Sequence, residues 1–103
     1  MGHRTVSFIE SIAARYPGMP IIYIGILPTP LRWHVRDEAV DSNTIVSRFA
    51  EEQGTVTYVD LSEWVLNNGS PDRSLFRSDL QHLNAAGYEA ITPPLKSFIL
   101  NIF

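Results

Sequence analysis

Between Pro20 and Pro28 lies Ile21-Ile22-Tyr23-Ile24-Gly25-Ile26-Leu27, seven residues without a charge and rich in β-branched side chains. A strand with one wet face alternates apolar and polar positions, whereas an unbroken apolar run fits a strand buried on both faces, as in a parallel sheet. Thr55-Val56-Thr57-Tyr58-Val59-Asp60-Leu61 reads as a second strand. Between the two, a helix is predicted over Asp37 to Gln53. Val46, Phe49 and Ala50 form its apolar face, and Gly54 stands where a helix favours a glycine just past its end. Strand, helix and strand in that order make one right-handed parallel crossover. Upstream, Ser7 and Glu10 have capping-box spacing, Ile9, Ile12, Ala13 and Tyr16 share one helical face, and Pro17-Gly18 stops that helix. Downstream, Asn67-Asn68-Gly69-Ser70-Pro71 reads as a loop. A last helix is expected after an Asn84 N-cap, with Leu83 and Tyr88 as a hydrophobic staple. Pro93-Pro94 should interrupt it, with Thr92 capping a restart whose inner face is Leu95, Phe98, Ile99 and Ile102.

The fold class expected is α/β, a parallel βαβ unit flanked by helices, in a single partial domain spanning residues 1–103. That length allows one core. Two parallel strands alone make a poor core, so the chain reads as half of a doubly wound domain. One strand edge would be left open. Its expected partner is a missing N-terminal half, or a second copy that completes the sheet as a homo-oligomer. The absence of cysteine excludes a disulfide framework, a thiolate metal site and a cysteine nucleophile. Net charge is −3, and the eight Lys and Arg residues are scattered, which argues against nucleic acid as a partner. The longest apolar run is too short for a membrane span, and Met1-Gly2-His3-Arg4 leads into an amphipathic segment without the pattern of a signal peptide. A soluble chain is the expectation.

In an open parallel sheet, ligands bind beyond the carboxyl ends of the strands. Those ends are the Pro28 to His34 loop and the segment after Asp60. Within the latter, Asp79 precedes His82 by three residues. That spacing lets the carboxylate fold onto the imidazole Nδ1–H, fixing the tautomer and leaving Nε2 as a general base. The plainer alternative is that Asp79 caps a local turn and His82 is a surface residue at a helix entry. Trp33 either walls a substrate pocket or packs over the sheet end. His34, near Asp37 and Asp41, has spacing too loose for a metal site, and none is expected. Asn43 suits a buried hydrogen bond, and Asp60 a loop cap.

The longer pattern Asp79-Leu80-Gln81-His82-Leu83-Asn84-Ala85-Ala86-Gly87-Tyr88 resembles the last motif of the SGNH/GDSL hydrolase superfamily. The helix ending in Tyr16-Pro17, the strand from Ile21 with its proline-rich loop, and Thr57 to Leu61 are similar to that family's later elements. The likeness runs roughly from Phe8 to Phe103. It implies the C-terminal half of a flavodoxin-like hydrolase domain, with Asp79 and His82 as the acid and base of a Ser-His-Asp triad. It also implies a small-molecule ester substrate and no cofactor. The family's Gly-Asp-Ser and Gly-x-Asn-Asp motifs are absent, so the nucleophile is expected from a missing N-terminal part, and the isolated chain is expected to be inactive. The alternative is a catalytically inactive piece that serves as a folding or interaction module.

Overall fold

The computed structural model describes residues 2–102. Met1 and Phe103, the two ends of the span read above, lie outside them. Helix α1 covers Gly2–Arg15 and strand β1 Ile21–Ile24. Helix α2 covers Arg36–Glu52, and strand β2 Val56–Val59. Strands β3 (Leu66–Asn67) and β4 (Ser70–Pro71) form a small hairpin, and helix α3 runs over Ala85–Ile102. The α/β class expected from the sequence is the one observed. β1 and β2 pair in parallel, with Ile21 opposite Val56 and Ile24 opposite Val59.

Alternation along the strands divides the core in two. Ile21, Tyr23, Val56 and Tyr58 pack with Ile9 of α1 and with Val46 and Ala50 of α2. Ile22, Val59 and Leu61 pack on the opposite face with Val65, Phe76, Leu83 and Ile91. Both faces of the two-stranded sheet are therefore covered, by α1 and α2 on one side and by α3 on the other.

Several local expectations are corrected. β1 stops at Ile24, short of Leu27, because the backbone of Ile26 is taken by a side chain. Asn43 Oδ1 accepts from Ile26 N–H at 2.9 Å, and Asn43 Nδ2 donates to Ile26 C=O at 3.0 Å. This is the buried hydrogen-bonding role expected of Asn43, and it peels the chain off the sheet. Although both of its faces are covered, β1 is not fully buried: Ile21 to Tyr23 are half-buried and Ile24 is 41% exposed, since its far edge has no neighbouring strand among the described residues. α1 begins at Gly2, so Ser7 lies inside the helix instead of capping it. The extra turn docks on α2, where a Cβ on Gly2 would stand 3.0 Å from Ile45 Cβ and Ser42 O. Tyr16 falls beyond α1 and is exposed.

At the end of α2, Gln53 turns extended (φ −108°), and Gly54 needs no left-handed backbone. The Asn67 to Pro71 loop is instead the hairpin. Asn68 (φ 55°) and Gly69 (φ 84°) form the two-residue turn with positive φ at both positions that suits Asn-Gly.

Pro93-Pro94 does not interrupt α3. The Thr92 hydroxyl bonds back to Tyr88 C=O at 2.5 Å instead of capping a restart. Two lost donors and the ring clashes cost about 3 kcal/mol or more per proline. Core burial on both sides of the pair, by Ile91 before it and Leu95 and Phe98 after it, outweighs that cost. Leu83 is buried in the core while Tyr88 is 54% exposed, so the expected staple does not cover Tyr88. Among the described residues, no helix is long and apolar enough to cross a membrane.

The Cα radius of gyration is 14.5 Å, against about 13 Å for a complete domain of this length. Phe8, Val40 and Leu100 are more than half exposed. An open parallel edge and uncovered apolar side chains favour association. Light scattering at micromolar concentration is expected to report a species heavier than 11.6 kDa. A monodisperse monomer that unfolds cooperatively would contradict this.

Candidate active site

The segment after β2 is built to present a short loop. Asp60 Oδ1 accepts from Ser62 N–H and Ser62 Oγ, the loop-capping role expected of it, and starts a 3₁₀ turn at Ser62–Val65. Asp72 repeats the device through Ser74 N–H and Oγ, starting the turn at Arg73–Leu75. Phe76 and Leu83, both buried, then form an isolated antiparallel bridge. The residues between them, Arg77 to His82, are held out from the core as a closed loop. Arg77 N–H donates to His82 C=O at 2.7 Å, and Leu80 N–H donates to Arg77 C=O at 2.8 Å.

Asp79 organises this loop through both carboxylate oxygens. Oδ1 accepts from the backbone N–H of Gln81 and of His82, each at 3.0 Å. Oδ2 lies 2.5 Å from His82 Nδ1. The two backbone donors, then the imidazole, hold the Asp79 carboxyl well below the usual carboxylate range. A depressed folded-state pKa means that whatever stability the ionised form gives is present above the ordinary Asp value. It is lost only as pH falls through the folded one. At working pH Asp79 is an anion, and Nδ1 of a neutral His82 must carry the proton. No described residue hydrogen-bonds Nε2, and the side chain is 67% exposed. The turn requires Leu80 to adopt φ 58°, a left-handed backbone that a bulky residue takes only where the surroundings impose it. Those surroundings include Leu31 N–H, which donates to Leu80 C=O at 3.0 Å and ties the loop after β1 to this one.

Both sequence readings of the Asp79–His82 pair are thus realised together: Asp79 caps a local turn, and the same carboxylate orients the imidazole. Trp33 sits half-buried in a one-turn 3₁₀ helix at Trp33–Val35. Arg36 stacks 4.6 Å above its ring and donates to its carbonyl at 2.8 Å. Trp33 lines a groove of about 820 Å³ beyond the carboxyl ends of β1 and β2, and Gln81, next to His82, lines it too. Tyr58 is a further wall. Burial first, then Asp60 and Tyr23, push its phenol up to about 12, so it stays a hydrogen-bond donor. His34, Asp37 and Asp41 are exposed, and no group of three or more metal-ligating side chains gathers among the described residues. No serine among them is hydrogen-bonded to His82.

Sequence reasoning missed two positioning residues. Asn84 was expected only as an N-cap, and its Oδ1 does accept Gly87 N–H at 3.0 Å. Its Nδ2 also donates to the carbonyls of Ser74 and Phe76, locking the start of α3 to the loop's base. Gly87 is required by contact: a Cβ there would stand 2.3 Å from Leu75 O. The Leu83-Asn84-x-x-Gly87 spacing carried that signal.

The molecule at this point is an α/β chain that presents a carboxylate-oriented imidazole beyond a parallel sheet. It belongs to the GDSL-like lipase/acylhydrolase family, whose model matches residues 3–90. Among solved structures, the chain is similar to one described as "a putative platelet activating factor from Streptococcus pneumonia", with a TM-score of 0.78 and 22% identity. That match covers 94% of this chain and 49% of the other, so this chain spans about half the length of that relative. At such identity the likeness shows the fold. No curated protein matches the sequence.

Proposed function

We propose that Asp79 and His82 are the acid and base of a Ser-His-Asp triad that cleaves ester bonds, the serine being supplied by polypeptide outside residues 1–103. The observation that carries this reading is the 2.5 Å contact between Asp79 Oδ2 and His82 Nδ1, with Nε2 hydrogen-bonded to no described residue. His82 Nε2 removes the serine proton as Oγ attacks the ester carbonyl, and Asp79 stabilises the imidazolium that forms. The proton then passes to the departing alkoxide. Water, deprotonated by the same Nε2, releases the acyl group and restores the serine. Nucleophile, base and preorganised amide donors are sufficient for this chemistry without a cofactor. The substrate is a small-molecule ester, and Trp33 contributes a wall of its site.

In this reading residues 1–103 are one part of a domain, and the open edge of β1 is where the rest of the sheet joins. The 103-residue chain is therefore expected to be inactive alone. A fluorophosphonate probe should label no serine in the purified chain. It should label one serine when the chain is joined or recombined with the segment that carries the nucleophile, and that labelling should be lost in His82→Ala. Stoichiometric labelling of a serine in the chain alone would refute the partition of the triad.

A further inference from the structure

The hydrogen bonds of the Arg77 to His82 loop are almost all its own. Arg77 N–H donates to His82 C=O, Leu80 N–H to Arg77 C=O, and the N–H groups of Gln81 and His82 to Asp79 Oδ1. Among the described residues, the one hydrogen bond that leaves the loop runs from Leu31 N–H to Leu80 C=O, at 3.0 Å. Leu80 is also the residue held at φ 58°. A bulky side chain resists that backbone, so a turn left to itself would relax toward negative φ and swing away the peptides that Asp79 binds. The donor is placed to oppose this. Trp33 N–H reaches Pro30 C=O at 3.5 Å, and Arg32 has φ −101° and ψ 6°. Residues 30–33 therefore make a type I turn with Leu31 at its second position. Arg32 N–H donates to Thr29 Oγ1 at 3.2 Å, and Pro28 and Pro30 fix φ on either side of that threonine.

We propose that Leu31 is a positioning residue for His82. Its backbone N–H, presented by the turn after β1, holds Leu80 in the left-handed region and so keeps the imidazole on Asp79. The bearing on catalysis rests on the hydrolase reading of the Asp79–His82 pair. The Leu31 side chain is 45% exposed, which leaves the main chain as the part that acts. The same turn carries Trp33, so the base and the proposed wall of its site share one anchor.

The test reads the imidazole directly and needs no turnover. Nitrogen chemical shifts of His82 in the 103-residue chain, with the ring neutral, report which nitrogen carries the proton. In the wild type that is expected to be Nδ1. Leu31→Pro deletes the donor at a turn position that favours proline, so the turn itself is kept. It is expected to lose the single Nδ1–H form and give a mixture of both tautomers. Leu31→Ala keeps the N–H and should keep the wild-type shifts. Adding Leu80→Asn to Leu31→Pro should restore them, because asparagine takes a left-handed backbone far more readily than leucine. Wild-type shifts in Leu31→Pro, the same loss in Leu31→Ala, or no recovery in the double variant would overturn the inference. Hydrogen exchange of the wild-type chain is a second reading that needs no variant to fold. The Leu31 amide should be protected together with those of Gln81 and His82. Free exchange at Leu31 beside protected Gln81 and His82 amides would also overturn it. Unchanged shifts in Leu31→Pro, with serine labelling in the joined polypeptide, would sink the anchor and leave the triad standing. Loss of the Nδ1–H form, with no serine labelling in the joined polypeptide, would do the reverse.

Discussion

In the polypeptide that unites residues 1–103 with the nucleophile, His82→Ala is expected to lower kcat by about 10⁶-fold while KM stays close to its starting value, because the base acts on the transition state. Asp79→Asn isolates the role of the carboxylate. An asparagine can still accept from Gln81 N–H and His82 N–H through Oδ1, so the turn and the Leu80 backbone survive. It would present an amide NH₂ to His82 Nδ1, however, which selects the tautomer that holds its proton on Nε2 and cannot act as base. A loss of about 10⁴-fold in kcat is expected from that change alone. As pH falls, Asp79 stays ionised far into acid, so its own protonation is not expected to limit the rate above strongly acidic pH. Wild-type kcat in both variants would mean that the pair is a helix-entry device only.

Gly87→Ala is expected to unfold the loop that carries this pair. Alanine is the better helix former by about 1 kcal/mol, which taken alone predicts stabilisation. The new Cβ, however, would lie 2.3 Å from Leu75 O and 2.7 Å from Leu83 Cδ2. Leu75 O already accepts Asn84 N–H, and Leu83 is part of the buried bridge to Phe76, so neither neighbour can move freely. Forcing atoms into a packed core costs about 1–3 kcal/mol, and a backbone contact belongs at the upper end. Sterics outweigh propensity, and the urea midpoint should drop. Gly54→Ala is the control: nothing lies within 4 Å of its Cβ and its backbone is ordinary, so its stability should hold or rise slightly. Equal midpoints for the two variants would show that the approach of α3 to Leu75 is looser than described.

What the sequence made legible was whatever local chemistry decides. The apolar run from Ile21, the helix over α2 and the Asp79-x-x-His82 spacing each depend on neighbours within a few residues, and each is observed. The errors arose where a distant group intervened. Ile26 reads as strand until Asn43, seventeen positions away, takes both of its backbone groups. Pro93-Pro94 reads as a break until core burial on either side holds the helix through it. Asn68-Gly69 differs, since its hairpin signal is local and the strands it joins are only two residues each. The closeness of α3 to Leu75 left a mark in Gly87, but the mark points to a contact only once the fold is known.

The four-residue turn from Asp79 to His82 also bears on the order of assembly. Catalytic groups drawn from distant strands reach their relative geometry only when the whole domain closes, and the loss of freedom falls on that final step. Here the carboxylate and imidazole are fixed by contacts that span three residues, above a bridge of two buried side chains. Their mutual geometry is complete once Phe76 meets Leu83 and Leu31 N–H reaches Leu80 C=O. In the proposed triad, a serine from another strand or another chain would then have a single alignment to find.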